Sequence, residues 1–194
     1  MTGAEAVEAA AVTAALALAE RRSWSQVTLA DIAREAGLSL AVLLAELPSK
    51  TAVLAAFQRR IDREVLAGGE VGDASARDRL FELLMRRFEA LKPHRQALKS
   101  ILMAAPHDPA SVICGWSGLL HAMITTLALA GLPAEGLGGL FRAKWLALIY
   151  GSVLPVFFAD GTRDLSRTMA ALDARLRRVE EVVNWARGWS RSGK

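Results

Sequence analysis

The sequence predicts an all-α protein, and three observations carry that prediction. Hydrophobic residues make up 53 % of the 194 residues while aromatics are 6 %, so the interior must be built mainly from Ala, Leu and Val, as in helical bundles. Apolar residues recur at three- and four-residue intervals over long stretches, which glycines and prolines punctuate. Finally, Val27 to Ser39 reads as a short helix, a tight glycine turn and the start of a second helix, a helix-turn-helix pattern. About nine helices are expected.

A first helix is predicted from about Ala4 to Arg21, with Val7, Ala10, Ala11, Ala14, Leu16 and Leu18 at its apolar positions. Ser23 to Gln26 forms the connector, where Trp24 is expected to plug a three-helix core. Thr28 can cap the next helix, with Asp31 answering it three residues on, and Leu29, Ile32 and Ala33 form the apolar face. Gly37 should end that helix in the left-handed conformation, leaving Ser39 to cap a helix over Leu40 to Leu47. Thr51 to Leu66 predicts a helix with Val53, Leu54, Phe57, Ile61 and Val65 on one stripe and Arg59, Arg60 and Arg63 opposite.

The glycine-rich run Ala67 to Asp73 then marks a hinge. A helix restarts at Arg77 and runs to Leu91 on a core face of Leu80, Leu83, Leu84 and Phe88. Lys92-Pro93 stops it, and His94 to Ala104 follows, ended by Pro106 and Pro109. Val112 to Leu132 contains no acidic or basic residue apart from His121 and has the length of a membrane span. Its Gly115, Ser117, Gly118, Thr125 and Thr126 favour a fully buried helix instead. Leu140 to Ala159 is a second apolar helix that Pro155 should kink or break, and Arg167 to Gly188 is the last, with Met169, Leu172, Leu176, Val179 and Val183 on one face.

Thr28-Leu-x-x-Ile-Ala-x-x-Ala-Gly-Leu-Ser39, followed by Leu47-Pro48-Ser49-Lys50 and the helix from Thr51, resembles the DNA-binding head of the TetR family of bacterial regulators. The resemblance covers roughly residues 10 to 60. It implies a three-helix head over residues 1–50 and a helical ligand-binding and dimerisation body over 51–194. It also implies a homodimer in which the last two helices pair with their copies around a two-fold axis. Gly138, Gly139, Ala143, Ala147 and Gly151 are small residues spaced for such close helix contact, although packing within one subunit would use them equally well.

For DNA, the expected contacts are Thr28, Ser39, Leu40, Ala41, Val42, Leu44, Ser49 and Lys50, with hydroxyls, Lys50 and amides at helix starts reaching phosphate. The second helix departs from the family. Where TetR-like heads carry a polar or basic residue, Gly, Thr, Leu and Tyr, followed by Tyr or His, this chain has Leu40, Ala41, Val42, Leu43, Leu44 and Glu46. The net charge of +4 does not compensate, because residues 1–48 set Glu5, Glu8, Glu20, Asp31, Glu35 and Glu46 against Arg21, Arg22 and Arg34. DNA affinity is therefore expected to be weak unless the dimer supports it.

Catalysis is not expected. The three histidines, His94, His107 and His121, lack metal-ligand spacing, and Gly136-Leu-Gly-Gly139 has neither a preceding strand nor a following Lys-Ser/Thr. No cofactor is implied. The lone Cys114 rules out an internal disulfide and fits a reducing cytoplasmic location. A small apolar ligand or lipid is the expected effector, in a pocket lined by Met85, Phe88, Met103, Trp116, His121, Met123 and Trp145.

A second resemblance covers the C-terminal part. Phe141 to Tyr150, Phe158-Ala-Asp160 and Thr168 to Leu176 are similar in order and spacing to the TetR-fold lipid-binding accessory proteins of ubiquinone biosynthesis, which have lost DNA recognition. The tail from Val182 to Arg191 pairs Trp185 and Trp189 with Arg187 and Arg191, as interfacial helices do, and so offers a peripheral membrane contact.

Overall fold

The computed structural model describes residues 3–69, 71–72, 74–104 and 109–178. Among these residues there are eight α-helices, a further helical run over 166–178 and no strand. The helices are α1 (Gly3–Arg21), α2 (Leu29–Glu35), α3 (Leu40–Glu46), α4 (Lys50–Ala67), α5 (Ala76–Leu91), α6 (Arg95–Met103), α7 (Pro109–Leu129) and α8 (Gly136–Ala159). The expected continuation of the last helix to Gly188, the Trp185 and Trp189 tail, His107 and the stop at Pro106 lie outside the described residues. Pro109 opens α7 instead of ending α6, a position where its missing N–H removes no helical bond.

The chain divides into two compact units, Met1–Ala67 with Ala90–Leu119, and Gly68–Glu89 with Leu120–Lys194. The first boundary falls at the start of the glycine-rich run.

In the first unit α1 packs against α2, α3, α4 and α6. Ala11, Val12, Ala14, Ala15, Leu16, Leu18 and Ala19 of α1 are buried with Ile32, Ala33, Leu43, Val53, Ala56, Phe57 and Ile61. Trp24 fills the expected core position on a short 3-10 turn, 1 % exposed. Its amide donates to Ser100 Oγ at 3.2 Å, and that hydroxyl donates to the Arg22 carbonyl at 3.3 Å, so α6 holds the connector that precedes the helix-turn-helix. Lys50 Nζ donates to the Trp24 carbonyl at 2.7 Å and lies 4.5 Å from the ring centroid, a cation–π contact.

In the second unit, Phe88 stacks on Tyr150 and tilts against Phe157, with centroids 4.6 and 5.2 Å apart. Asp160 ends α8 and is fully buried. Its carboxylate accepts from the Thr162 amide at 3.0 Å, the Thr168 amide at 2.8 Å and the Thr168 hydroxyl at 2.7 Å. Burial pushes its pKa up, but the hydrogen bonds from Thr162 and Thr168 outweigh that and hold it well below the usual carboxylate range. Arg77 pairs with Asp173 of the 166–178 run.

Three expectations are corrected here. The run from Val112 is not fully buried: Trp116, Ser117, His121, Ala128 and Leu129 of α7 are exposed, while Ala122, Met123, Thr126 and Leu127 form its buried side. Of the expected kink or break at Pro155, the break does not occur, since α8 continues to Ala159. Pro155 is exposed, so the bond it removes leaves a carbonyl that water can reach.

The small residues of α8 also serve a different purpose. Gly139, Ala143 and Ala147 are buried, and a Cβ at Gly139 would lie 2.1 Å from the Ala134 carbonyl oxygen. At Gly139 this lets the helix settle against the loop that precedes it. Among the described residues α8 is the one helix long and apolar enough to cross a membrane, but its buried stripe of Gly139, Ala143, Leu146, Tyr150, Val153 and Phe157 fits a core helix.

Candidate nucleic-acid interface

The local chemistry of residues 27–47 builds a helix-turn-helix as expected. Thr28 has extended backbone angles and caps α2: its Oγ1 accepts from the Asp31 amide at 3.1 Å while Asp31 Oδ2 accepts from the Thr28 amide at 3.1 Å, a reciprocal capping box. Gly37 ends α2 with φ +68°. Its amide donates to the Arg34 carbonyl at 3.2 Å and the Leu38 amide donates to the Ala33 carbonyl at 2.9 Å, the paired bonds of a Schellman turn. Ser39 then caps α3, accepting from the Val42 amide at 3.2 Å.

This geometry fixes which face of α3 is presented. Leu43 is fully buried and anchors the helix, whereas Leu40, Val42 and Leu44 are 42, 45 and 40 % exposed. Ala41, Ala45 and Glu46 are exposed beside them. The outward surface of the second helix is aliphatic with one carboxylate at its end.

The polar groups expected to meet phosphate also make bonds inside the head. Thr28 Oγ1 donates to Asp31 at 2.8 Å, Ser39 caps α3, and Ser49 caps α4 by accepting from the Ala52 amide at 3.1 Å. Lys50 is drawn to Trp24. The arginines are paired as well, Arg21 with Glu35, Arg22 with Asp31 at 2.8 Å and Arg34 with Asp31. Hydrogen bonds from the Thr28 hydroxyl and amide, helped by Arg22 and Arg34, lower the Asp31 pKa to about 2 against a desolvation that would raise it.

The residues expected around a ligand separate into two groups. Met85, Phe88 and Met123 are buried, as an inward wall requires. Met103 is 71 % exposed, and Trp116, His121 and Trp145 are exposed too, so these four do not face inward as expected. Met103 ends α6, and Trp145 lies on the outer side of α8, opposite the buried stripe. Trp145 belongs instead to a row of Leu137, Phe141, Trp145 and Leu148, of which Leu137 and Phe141 are 89 and 63 % exposed. Spacings of four, four and three residues between bulky apolar side chains are the sequence signal for this row, hidden because the whole segment is apolar. Among the described residues no cluster of His, Cys, Asp and Glu could hold a metal.

Residues 11–57 match the model of bacterial regulatory proteins, tetR family. The chain is similar in structure to a TetR transcriptional regulator from Nitrosomonas europaea, at 22 % identity and a TM-score of 0.71 over 88 % of this chain and 96 % of that one. It is also similar to a TetR transcriptional regulator from Rhodococcus, at 20 % identity and a TM-score of 0.63 over 89 and 96 % of the two chains. A tetR-family transcriptional regulator from Streptomyces coelicolor gives 20 % identity and a TM-score of 0.61 over 96 and 87 %. No curated protein matches. The protein is thus an all-α chain with a helix-turn-helix head. Within that head residues 11–57 are similar to the tetR family, and the chain has the fold of the solved TetR transcriptional regulators.

Proposed function

We propose that the protein is a transcriptional regulator that binds DNA as a homodimer, with α2 and α3 of each subunit as the reading heads. The single observation that carries this is the complete helix-turn-helix, from the Thr28 capping box through the Schellman turn at Gly37 to the Ser39 cap, within the stretch matched to the tetR family. The dimer is supported by the exposed row Leu137, Phe141, Trp145 and Leu148, because a row of bulky apolar side chains on one helix is stable once a second surface covers it. Regulation follows the same logic: a small apolar ligand beside Met85, Phe88 and Met123 alters the separation of the two heads and so the affinity for DNA. The reading places the protein in the cytoplasm and gives it no catalytic role.

A second reading is favoured by the head's surface. Its arginines are paired and α3 offers base edges no hydrogen-bonding side chain except Glu46, which suits a lipid-binding or protein-interaction member of the fold that no longer reads DNA. A salt titration of binding to the DNA flanking the protein's own gene decides between them. The regulator loses affinity steeply with salt and keeps a sequence preference. Absence of binding at low salt would sink that reading, and co-sedimentation with lipid vesicles would then be the positive test of the second.

A further inference from the structure

We infer that the protein selects its DNA through the C5-methyl groups of thymine, contacted by Leu40, Val42 and Leu44 of α3. The inference rests on the DNA-binding reading and specifies its chemistry. In the helix-turn-helix arrangement the second helix meets base edges in the major groove. Here that helix is fixed by buried Leu43, and its outer side carries Leu40, Ala41, Val42, Leu44 and Ala45, none of which has a hydrogen-bond donor or acceptor in its side chain. Of the hydroxyls that flank it, Ser39 accepts the Val42 amide in capping α3, and Thr28 both accepts the Asp31 amide and donates to the Asp31 carboxylate.

The bases differ sharply in how they receive such a surface. Guanine, cytosine and adenine offer hydrogen-bond donors and acceptors but no methyl group in the major groove, whereas thymine adds a C5-methyl. A leucine or valine pressed against guanine O6 and N7, or against the cytosine amino group, strips water from those atoms and returns no hydrogen bond. Against a thymine methyl the same side chain buries apolar surface on both partners. Discrimination therefore arises from a gain at thymine together with a desolvation penalty at G·C pairs. The aliphatic α3 becomes a reader of methyl position, not of donor and acceptor pattern.

The test selects tight-binding duplexes from a random pool with the full-length protein, then remakes each with deoxyuridine in place of thymine, which removes only the methyl. The selected duplexes are expected to hold thymines at fixed positions. Deoxyuridine there should lower affinity about four-fold per contacted methyl, the ratio implied by burying one CH2-sized group. The same exchange outside those positions should change nothing, and Leu40→Ala, Val42→Ala and Leu44→Ala, at exposed sites, should each reduce the sensitivity at the thymine that side chain covers. Equal binding of thymine and deoxyuridine duplexes by the native protein would overturn this inference while leaving DNA binding intact. Failure to retain any duplex at low salt would instead overturn the DNA-binding reading on which it rests.

Discussion

Thr28 and Asp31 show how two side chains decide the start of α2. Each satisfies the other's amide, and the Asp31 carboxylate also gathers Arg22 and Arg34. Thr28→Ala removes one cap and loosens the other, and should destabilise the protein by about 1 kcal/mol, read from the urea midpoint. A pH dependence follows from the same residues. Asp31 has its pKa lowered from 3.8 to about 2, first by the Thr28 hydroxyl, so it favours the folded state while ionised. That stabilisation is complete above the ordinary value and is lost as pH falls through about 2. Melting temperatures measured down from about pH 5 should therefore converge for the native protein and Thr28→Ala. Parallel curves would show that the capping box does not shift Asp31.

Among elements, α8 carries the clearest division of labour. Its inner stripe combines Gly139, Ala143 and Ala147 with Leu146, Tyr150, Val153 and Phe157, and its outer row of Leu137, Phe141, Trp145 and Leu148 is exposed. Gly139→Ala places a Cβ 2.1 Å from the Ala134 carbonyl oxygen, a backbone clash, and should cost about 1–3 kcal/mol in chemical denaturation. Gly151→Ala meets nothing within 4 Å and should stabilise the helix by about 0.5–1 kcal/mol. Equal effects would mean that the inner packing described here is wrong. On α3, Glu46 is the one exposed charge. Glu46→Gln should tighten binding to any duplex at low salt, with the gain shrinking as salt screens the phosphates. An unchanged affinity in low salt would place Glu46 away from the DNA.

At the scale of the whole molecule, the proposed homodimer depends on covering Leu137, Phe141, Trp145 and Leu148. Phe141→Glu and Trp145→Glu place a charge in that row, which a buried interface tolerates poorly. Sedimentation equilibrium should give twice the chain mass for the native protein and a single chain for these variants, with helical content unchanged because both positions are exposed. A single-chain mass for the native protein would remove the dimer. Loss of DNA affinity in the same variants, with the head untouched, would link dimerisation to operator binding.

The local features were legible because they are short-range physics. Thr28 with Asp31, Gly37 and Ser39 sit three to eleven residues apart, and capping, left-handed glycine and helical period act at that distance. The sequence therefore determined the all-α class, the helix-turn-helix and the aliphatic character of α3. Segments that are apolar on every side were not legible in the same way. In α7 and α8 periodicity does not say which face turns inward, so the sequence alone points Trp116, His121 and Trp145 inward and offers Gly139, Ala143 and Ala147 to a partner, whereas the first three are exposed and the three small ones buried. Only the tertiary structure decided that Gly139, Ala143 and Ala147 are buried while Leu137, Phe141 and Trp145 face out, because that choice depends on which neighbours each face meets, such as the Ala134 backbone against Gly139 and Phe88 against Tyr150. It also decided that Lys50 and the head arginines are spent on internal partners, a fact of geometry that charge counting along the chain does not contain.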